Sequence, residues 1–170
     1  DRLAEVIDGE KDFDVIVNVQ GDEPLIDPKA IDRAVKPFLE EADLEMATLA
    51  WRIKDRTEAE SPQVVKVVVD ENSNALYFSR LPIPFYRDER PFSERQYLGH
   101  VGLYVYSREC LLKIARLNPT PLEKAETLEQ LRALENGIKI RVALIDSRSL
   151  AVDVPEDIAK VEAALRLLNV

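Results

Sequence analysis

Short apolar runs alternate along the chain with segments whose apolar residues recur every three or four positions. Val15, Ile16 and Val17 form a run without polar alternation, which is typical of a strand that is central in a parallel sheet and covered on both faces. Further strands are predicted over residues 46–51, 64–69, 75–80, 97–106 and 138–144. With helices between the strands, the pattern predicts an α/β fold with a mixed, mostly parallel sheet and flanking helices. No internal repeat or long linker interrupts it, so we expect a single domain over residues 1–170.

Helices are predicted from apolar periodicity and from capping residues. Asp27 can cap a helix that has Pro28 at its first position. Other helices are predicted over residues 107–117, over residues 121–135 and from Pro155 towards the end. Residues 81–94 are too rich in proline and charge for regular structure, and a loop of this length usually has a function.

The predicted helix over residues 121–135 carries apolar residues at every third position, which indicates an interior helix. Glu129 projects into this apolar sector, and a buried carboxylate needs a partner. Arg132 is one candidate partner, and a ligand hydroxyl is the other. The pattern does not decide between them.

Composition narrows the possible chemistry. The 170 residues carry 23 Lys plus Arg against 32 Asp plus Glu, and this net charge of −9 argues against a nucleic-acid partner. One Cys and one His exclude disulfide frameworks and Cys/His zinc sites, so a metal here would be held by oxygen. The five glycines lack the spacing of a phosphate-binding loop, and no apolar run is long enough to span a membrane. We therefore expect a soluble, cytosolic protein.

An acidic loop, Gln20-Gly21-Asp22-Glu23-Pro24, follows the first predicted strand. Ligands gather at the carboxyl ends of strands in open α/β sheets, and Asp22 supplies a hard oxygen of the kind that Mg²⁺ prefers. The alternative is a polar turn in which Asp22 bonds its own backbone. Asp153 lies where another extended segment meets a helix, and Pro155 at the first helical position would leave it outside the cap. The two aspartates could share one cation.

Alternation along residues 97–106 places His100, Gly102 and Tyr104 on one face of a strand. Gly102 would leave room for a ligand between the other two side chains, so this face is a candidate pocket wall. The alternative is that His100 is a structural residue. Cys110 is interpreted as a small helix hydrophobe, because no second thiol or metal motif accompanies it.

Five motifs together resemble one enzyme family. Residues 18–24, 75–80, 100–104, 128–132 and 152–157 are similar, in order and spacing, to motifs of the 3-deoxy-manno-octulosonate cytidylyltransferases, also called CMP-KDO synthetases. The resemblance extends from Arg2 to the C-terminus. It implies a Rossmann-like nucleotide-diphospho-sugar transferase fold whose N-terminal part is missing, which fits a chain that opens at Asp1 in a helical pattern and without Met.

The resemblance also implies a reaction and a set of residues. The family transfers CMP from CTP to the acidic sugar 3-deoxy-D-manno-octulosonate (KDO), requires Mg²⁺, and serves lipopolysaccharide synthesis as a homodimer in the bacterial cytoplasm. Carried over by motif, Asp22 and Asp153 would be the metal ligands and, with Arg80, the catalytic residues. The other implied residues are Arg2 beside the nucleotide and, around the sugar, Gln20, Arg87, His100, Tyr104, Glu129 and Gln130. A locally positive cleft is expected within the acidic chain.

The chain also departs from the family pattern. The family's amino-terminal loop for the CTP triphosphate has no counterpart here, so we expect the 170 residues alone to be inactive. Two alternatives remain: a cytidylyltransferase for another acidic sugar such as sialic acid, and a non-catalytic sugar-binding or dimerisation module.

Overall fold

A computed structural model describes residues 2–9, 12–152 and 155–167. The strands are β1 (Val15–Asn18), β2 (Met46–Arg52), β3 (Lys66–Val69), β4 (Ala75–Ser79), β5 (Leu98–Ser107) and β6 (Ile140–Ile145). The helices are α1 (Arg2–Gly9), α2 (Pro28–Glu40), α3 (Arg56–Glu60), α4 (Arg108–Ile114), α5 (Pro121–Glu126), α6 (Gln130–Glu135) and α7 (Pro155–Leu167). A short 3₁₀ turn, Phe92–Glu94, interrupts the long loop before β5. None of these helices has the length and apolar character needed to cross a bilayer.

The strands form one mixed sheet in the order β4-β3-β5-β2-β6, with β1 also paired to β5. The predicted α/β architecture with flanking helices is confirmed, but the prediction that the sheet is mostly parallel is wrong. Within the described ranges, β2 and β6 form the parallel pair, whereas the other pairings are antiparallel. The reason is that β5 runs opposite to β1, β2 and β3 and separates them, so strands that share a direction are mostly not adjacent.

One edge of β5 is divided between two strands. Residues 104–107 pair with β1, and residues 98–99 pair with β3. Between them, the backbone N–H of His100 donates to Val65 O at 2.8 Å, but no described strand pairs with residues 101–103 on this edge. The carboxyl end of β1 and the start of β3 therefore both lie at this gap.

Both faces of the sheet are covered. One core cluster joins α2 and α3 to the sheet through residues such as Ala34, Ala59 and Leu103. The other joins the opposite face to α4 and α6 through residues such as Cys110 and Leu131. Burial on both faces fixes the sheet as a rigid support for the loops at its gap.

Of two helices predicted from local sequence signals, one begins as expected and the other is broken in the structure. The cap of α2 is confirmed, because Asp27 Oδ1 accepts a hydrogen bond from Lys29 N at 2.9 Å. The single helix predicted over residues 121–135 is wrong, because the chain breaks at Thr127, which has a φ of 54°, into α5 and α6. The break turns residues 127–129 towards the gap in β5.

Candidate active site

A cleft of about 420 Å³ opens over the gap in the edge of β5. Its walls come from the loop after β1, the start of β3, the end of β4, the middle of β5, the break between α5 and α6, and the segment before α7. The predicted site residues that line it are Gln20, Asp22, Arg80, His100, Tyr104, Glu129 and Gln130. Predicted residues up to 110 positions apart thus converge on one cleft.

The acidic loop is tied to the segment before α7. Val152 N donates to Asp22 O at 2.8 Å, and Ser149 Oγ donates to Glu23 Oε2 at 2.5 Å. These bonds place Asp22 beside the residue that directly precedes Asp153. Asp153 itself lies outside the described residues, and so does the side chain of Arg2, the first residue of α1.

Arg80 reaches the cleft with its guanidinium held by neutral acceptors. Nε donates to Glu126 O at 2.9 Å, and the two terminal nitrogens donate to Pro62 O at 3.1 Å and to Thr127 O at 3.3 Å. Among the described residues, no carboxylate forms an ion pair with Arg80. The side chain is therefore oriented by backbone oxygens without a direct ion pair to a described carboxylate, which suits recognition of an anion.

Two residues that sequence reasoning missed support Arg80 from behind. Glu126 accepts hydrogen bonds from Arg80 N at 2.9 Å and from Ser79 Oγ at 2.7 Å. Burial acts to raise the pKa of Glu126, but these hydrogen bonds hold its pKa below the ordinary value. Lys66 is fully buried, and its Nζ donates to the backbone oxygens of Ser61, Val64 and Arg80 at 2.5–2.8 Å.

Lys66 had a visible signal in the sequence. It is the one charged residue in the apolar run over residues 64–69, a position that indicates burial with compensating hydrogen bonds. Desolvation lowers the pKa of Lys66. Its three hydrogen bonds fix the start of β3 to the end of β4, and both line the cleft.

His100 is held by the interior of the sheet. Its Nε2 lies 2.9 Å from Oγ1 of Thr48, and its ring makes an edge contact with Phe78 at 4.9 Å between ring centres. Desolvation lowers the pKa of His100 to about 3, so the imidazole is neutral at neutral pH. A base this weak does not accept a proton from a sugar hydroxyl, but it can form a hydrogen bond with one.

Tyr104 and Gln130 supply buried polar groups. Burial raises the pKa of Tyr104 well above the ordinary value, which keeps its hydroxyl protonated. Gln130 is 7% exposed, and its buried Nε2 has no hydrogen-bond partner among the described residues. A buried amide without a partner is a group that a ligand can satisfy.

The expected burial of Glu129 is wrong, although Arg132, one of its two candidate partners, does form an ion pair with it. Its side chain is 71% exposed, because the break at Thr127 removes it from the predicted helical register. Arg132 forms a two-bond ion pair with Glu123 and lies 3.8 Å from Glu129 at the nearest atoms. Glu129 still lines the cleft, but as a solvated carboxylate.

Gly102 lines the cleft together with His100 and Tyr104, as predicted for this strand face. A Cβ at Gly102 would lie 3.4 Å from Nε2 of Gln20, at ordinary contact distance, so the side chain of Gln20 shares this space. Arg87 is exposed in the long loop, and the described lining of the cleft does not include it.

Arg148 and Trp51 complete the wall, and sequence reasoning missed both. The guanidinium carbon of Arg148 lies 5.0 Å from the centre of the Trp51 ring, and Nε lies 3.5 Å from a carboxylate oxygen of Glu58. Among the described residues that line the cleft, two are arginines, Arg80 and Arg148, and three are acidic, including Asp22. A positive cleft is therefore not formed by the side chains alone, and the described residues contain no cluster of three or more metal-ligating side chains.

Comparison with known proteins identifies the family. A family model described as cytidylyltransferase matches residues 1–140. A relative from Pelobacter propionicus, a 3-deoxy-manno-octulosonate cytidylyltransferase, is 51% identical, and the match covers 99% of this chain and 69% of the relative. This chain belongs to the 3-deoxy-manno-octulosonate cytidylyltransferase family. A family member from Solibacter usitatus is 55% identical, with 95% of this chain and 63% of that protein covered.

A solved structure agrees with this assignment. CMP:2-keto-3-deoxy-manno-octonic acid synthetase complexed with CTP is 38% identical and superposes with a TM-score of 0.90, covering 98% of this chain and 67% of that one. A 4-diphosphocytidyl-2C-methyl-D-erythritol synthase from Anaerococcus prevotii, at 12% identity and a TM-score of 0.55, shares the fold alone. This chain spans only about 63–69% of the length of these family members.

Proposed function

We propose that this chain forms the sugar-binding and metal-binding part of an enzyme that transfers CMP from CTP to KDO and releases pyrophosphate. The observation that carries the proposal is the convergence of the seven predicted residues, from four separate segments, on one cleft. The names of relatives 51–55% identical to this chain support the same reaction.

The substrates are both anions, and the arginines answer that charge. Arg80 would bind the KDO carboxylate, because its guanidinium is oriented by backbone oxygens and forms no ion pair with a described carboxylate. Its fixed orientation lowers the entropy that is lost when the anion binds. Arg87, exposed in the long loop, remains a predicted sugar-binding residue.

The remaining predicted residues would recognise the sugar hydroxyls. His100 is neutral because of its low pKa, and Tyr104 keeps its proton because its pKa is raised. Gln20, Glu129 and Gln130 add an amide, a carboxylate and a second, buried amide. This set holds and orients the acceptor sugar, so that its anomeric hydroxyl faces the α-phosphate of CTP.

Asp22 would hold Mg²⁺ through its carboxylate, with Asp153 as the predicted second ligand. Oxygen ligands suit this ion, and the segment of Asp22 is bonded to the residue before Asp153. When bound, Mg²⁺ would neutralise phosphate charge and acidify the attacking hydroxyl. The ion would also outweigh the excess negative charge of the acidic side chains in the cleft, and two anionic substrates require such a positive charge.

Other predictions from the resemblance belong to the same proposal. They are a contact of Arg2 with the nucleotide, a homodimer, a cytoplasmic location and a role in lipopolysaccharide synthesis. We also propose that the 170-residue chain alone does not catalyse CMP transfer, since its glycines lack the spacing of a phosphate-binding loop.

Pyrophosphate release tests the function. The chain would be assayed alone and preceded by the amino-terminal segment of a relative, with CTP, Mg²⁺ and either KDO or sialic acid. We expect turnover with KDO by the extended chain only. A preference for sialic acid would favour the rival sugar, and KDO binding without any turnover by the extended chain would favour a binding module.

Arg80→Gln tests the assignment of the carboxylate. Loss of a charge-assisted contact of about 2–3 kcal/mol predicts a rise in the KM for KDO of about 30- to 150-fold. Arg33→Gln is the matched control, because Arg33 is exposed on α2 and outside the cleft lining. An unchanged KM in Arg80→Gln would contradict the assignment.

A further inference from the structure

A bulge in β5 lies at the floor of the cleft. The antiparallel register between β2 and β5 shifts between Thr48 and Leu49, where β5 carries two additional residues, Gly102 and Leu103. Such a bulge interrupts the ladder of hydrogen bonds, and carbonyl groups in the sheet interior then need another donor. The other edge of β5 has no described strand partner at the same place.

The side chain of Thr48 fills this interruption. Thr48 has no exposed surface, and Oγ1 lies 2.8 Å from Leu103 O and 3.2 Å from Val101 O. The same oxygen lies 2.9 Å from Nε2 of His100. One hydroxyl therefore contacts two carbonyls at the bulge, those of Val101 and Leu103, and the one histidine of the chain.

The count of protons determines how these groups bond. A threonine hydroxyl donates one hydrogen bond and accepts through two lone pairs, and a backbone carbonyl only accepts. If Thr48 donates to Leu103 O, then Nε2 of His100 must carry the proton and donate to Oγ1. If Thr48 donates to Nε2, neither carbonyl receives its proton. The first arrangement forms two hydrogen bonds and the second forms one, so the first is favoured in a buried site.

We propose that Thr48 is a positioning residue that fixes His100 as the Nε2–H tautomer, which leaves Nδ1 as an acceptor for a hydroxyl of the ligand in the cleft. Nδ1 has no hydrogen-bond partner among the described residues, and His100 lines the cleft. The contacts with Phe78 and Tyr104, at 4.9 and 5.4 Å between ring centres, restrain the ring on its other sides. The identity of the ligand as KDO rests on the proposed function, whereas the tautomer does not.

Nitrogen NMR tests the tautomer without any ligand. Because the chain has one histidine, a ¹⁵N-labelled sample contains a single imidazole. At pH 7 we expect Nε2 at the chemical shift of a protonated ring nitrogen and Nδ1 at that of an unprotonated one. The Nδ1–H tautomer in the wild type would overturn the inference, and this result needs no variant to fold.

Variants of Thr48 test its role. Thr48→Val keeps the branched shape and removes the hydroxyl, so we expect the two ring nitrogens to move towards the averaged shifts of a tautomer mixture. Thr48→Ser keeps the hydroxyl and should restore the wild-type spectrum. A folded Thr48→Val protein with an unchanged spectrum would contradict the assignment.

Kinetics of the extended, active chain give the second readout. Loss of one neutral hydrogen bond predicts a rise in the KM for KDO of about 2- to 12-fold in Thr48→Val, with the KM for CTP unchanged. Thr57→Val, on exposed Thr57 of α3, is the control. Equal rises for both substrates would indicate a merely structural effect and overturn the positioning role. If no variant uses KDO at all, the proposed function fails while the spectrum still decides the tautomer.

Discussion

Gly99 of β5 packs directly against the indole ring of Trp51, and a methyl group there would enter occupied space. A Cβ at Gly99 would lie within 2.7 Å of three ring atoms, Cζ2, Cη2 and Cε2, whereas ordinary contacts begin at 3.4 Å. Trp51 is 5% exposed, so its ring is packed on most sides. Gly99→Ala therefore has to displace the ring that supports Arg148 at the cleft.

The expected loss of stability follows from two opposing effects. Overpacking of a filled core costs about 1–3 kcal/mol. Replacing a strand glycine by alanine returns about 0.5–1 kcal/mol of backbone entropy. The severe overlap with the ring places the overpacking cost in the upper part of its range, about 2–3 kcal/mol. We therefore expect Gly99→Ala to lower the free energy of unfolding by about 1–2.5 kcal/mol, and to lower Tm by about 2–10 °C for a chain of this size.

Urea denaturation measures this loss, followed by circular dichroism and by fluorescence of Trp51, the one tryptophan. Gly21→Ala is the matched control, since a Cβ at Gly21 meets no atom within 4 Å. In a Trp51→Phe background the smaller ring leaves room, so Gly99→Ala should cost less there, with a coupling energy of about 1 kcal/mol. Equal stabilities of Gly99→Ala and Gly21→Ala, or a cost that is unchanged beside Phe, would refute the packing argument.

Three more predictions concern charge and burial. The pKa of His100 falls to about 3 on folding, so below pH 6.5 the unfolded chain binds more protons than the folded one and stability should fall as the pH is lowered. Between pH 7 and 5, we expect the wild type to lose about 2 kcal/mol more free energy of unfolding than His100→Gln, as measured by urea titrations. Burial raises the pKa of Cys110 to about 12, so a disulfide reagent should label the native thiol slowly and the urea-unfolded thiol at once. Glu123→Gln breaks a mostly buried ion pair and should destabilise by about 2 kcal/mol, whereas Glu129→Gln, on the same guanidinium but exposed, should change stability by less than about 0.5 kcal/mol.

The sequence predicted helix ends and strands correctly where nearby residues determine the backbone conformation. Asp27 and Pro28 begin α2 as expected, and Gly137, with a φ of 76°, lies directly after the C-cap residue of α6. The β5 strand follows its alternating pattern over nearly the predicted range. These outcomes depend on caps, turns and periodicity within about ten residues.

The errors arise where distant contacts override the local pattern. Regularly spaced leucines predicted one helix over residues 121–135, but Glu126 turns to Ser79 and Arg80, and the chain breaks at Thr127. A bond between segments 46 positions apart leaves no trace in helical periodicity. The same break explains why Glu129 is exposed.

The strand neighbours were hidden for a similar reason. The apolar run of β1 predicted a central strand, whereas β5 is the one described partner of β1. The apolar run of β1 contains no information that β5 lies between β1, β2 and β3 and runs opposite to all three. Asp22, His100 and Tyr104, which local patterns had placed at a strand end or on one strand face, do line the cleft. Gln20, Arg80 and Gln130, which also line it, were predicted only from the family resemblance.

The direct test of the account is the Mg²⁺ dependence of pyrophosphate release from CTP and KDO in Asp22→Asn, with the extended chain. Asp43→Asn is the control, because Asp43 is exposed and outside the cleft lining. We predict at least about a 100-fold lower rate at saturating Mg²⁺ and a higher Mg²⁺ requirement, with the control unchanged. Wild-type turnover and wild-type Mg²⁺ dependence in Asp22→Asn would contradict the assignment of this cleft as the centre of CMP transfer.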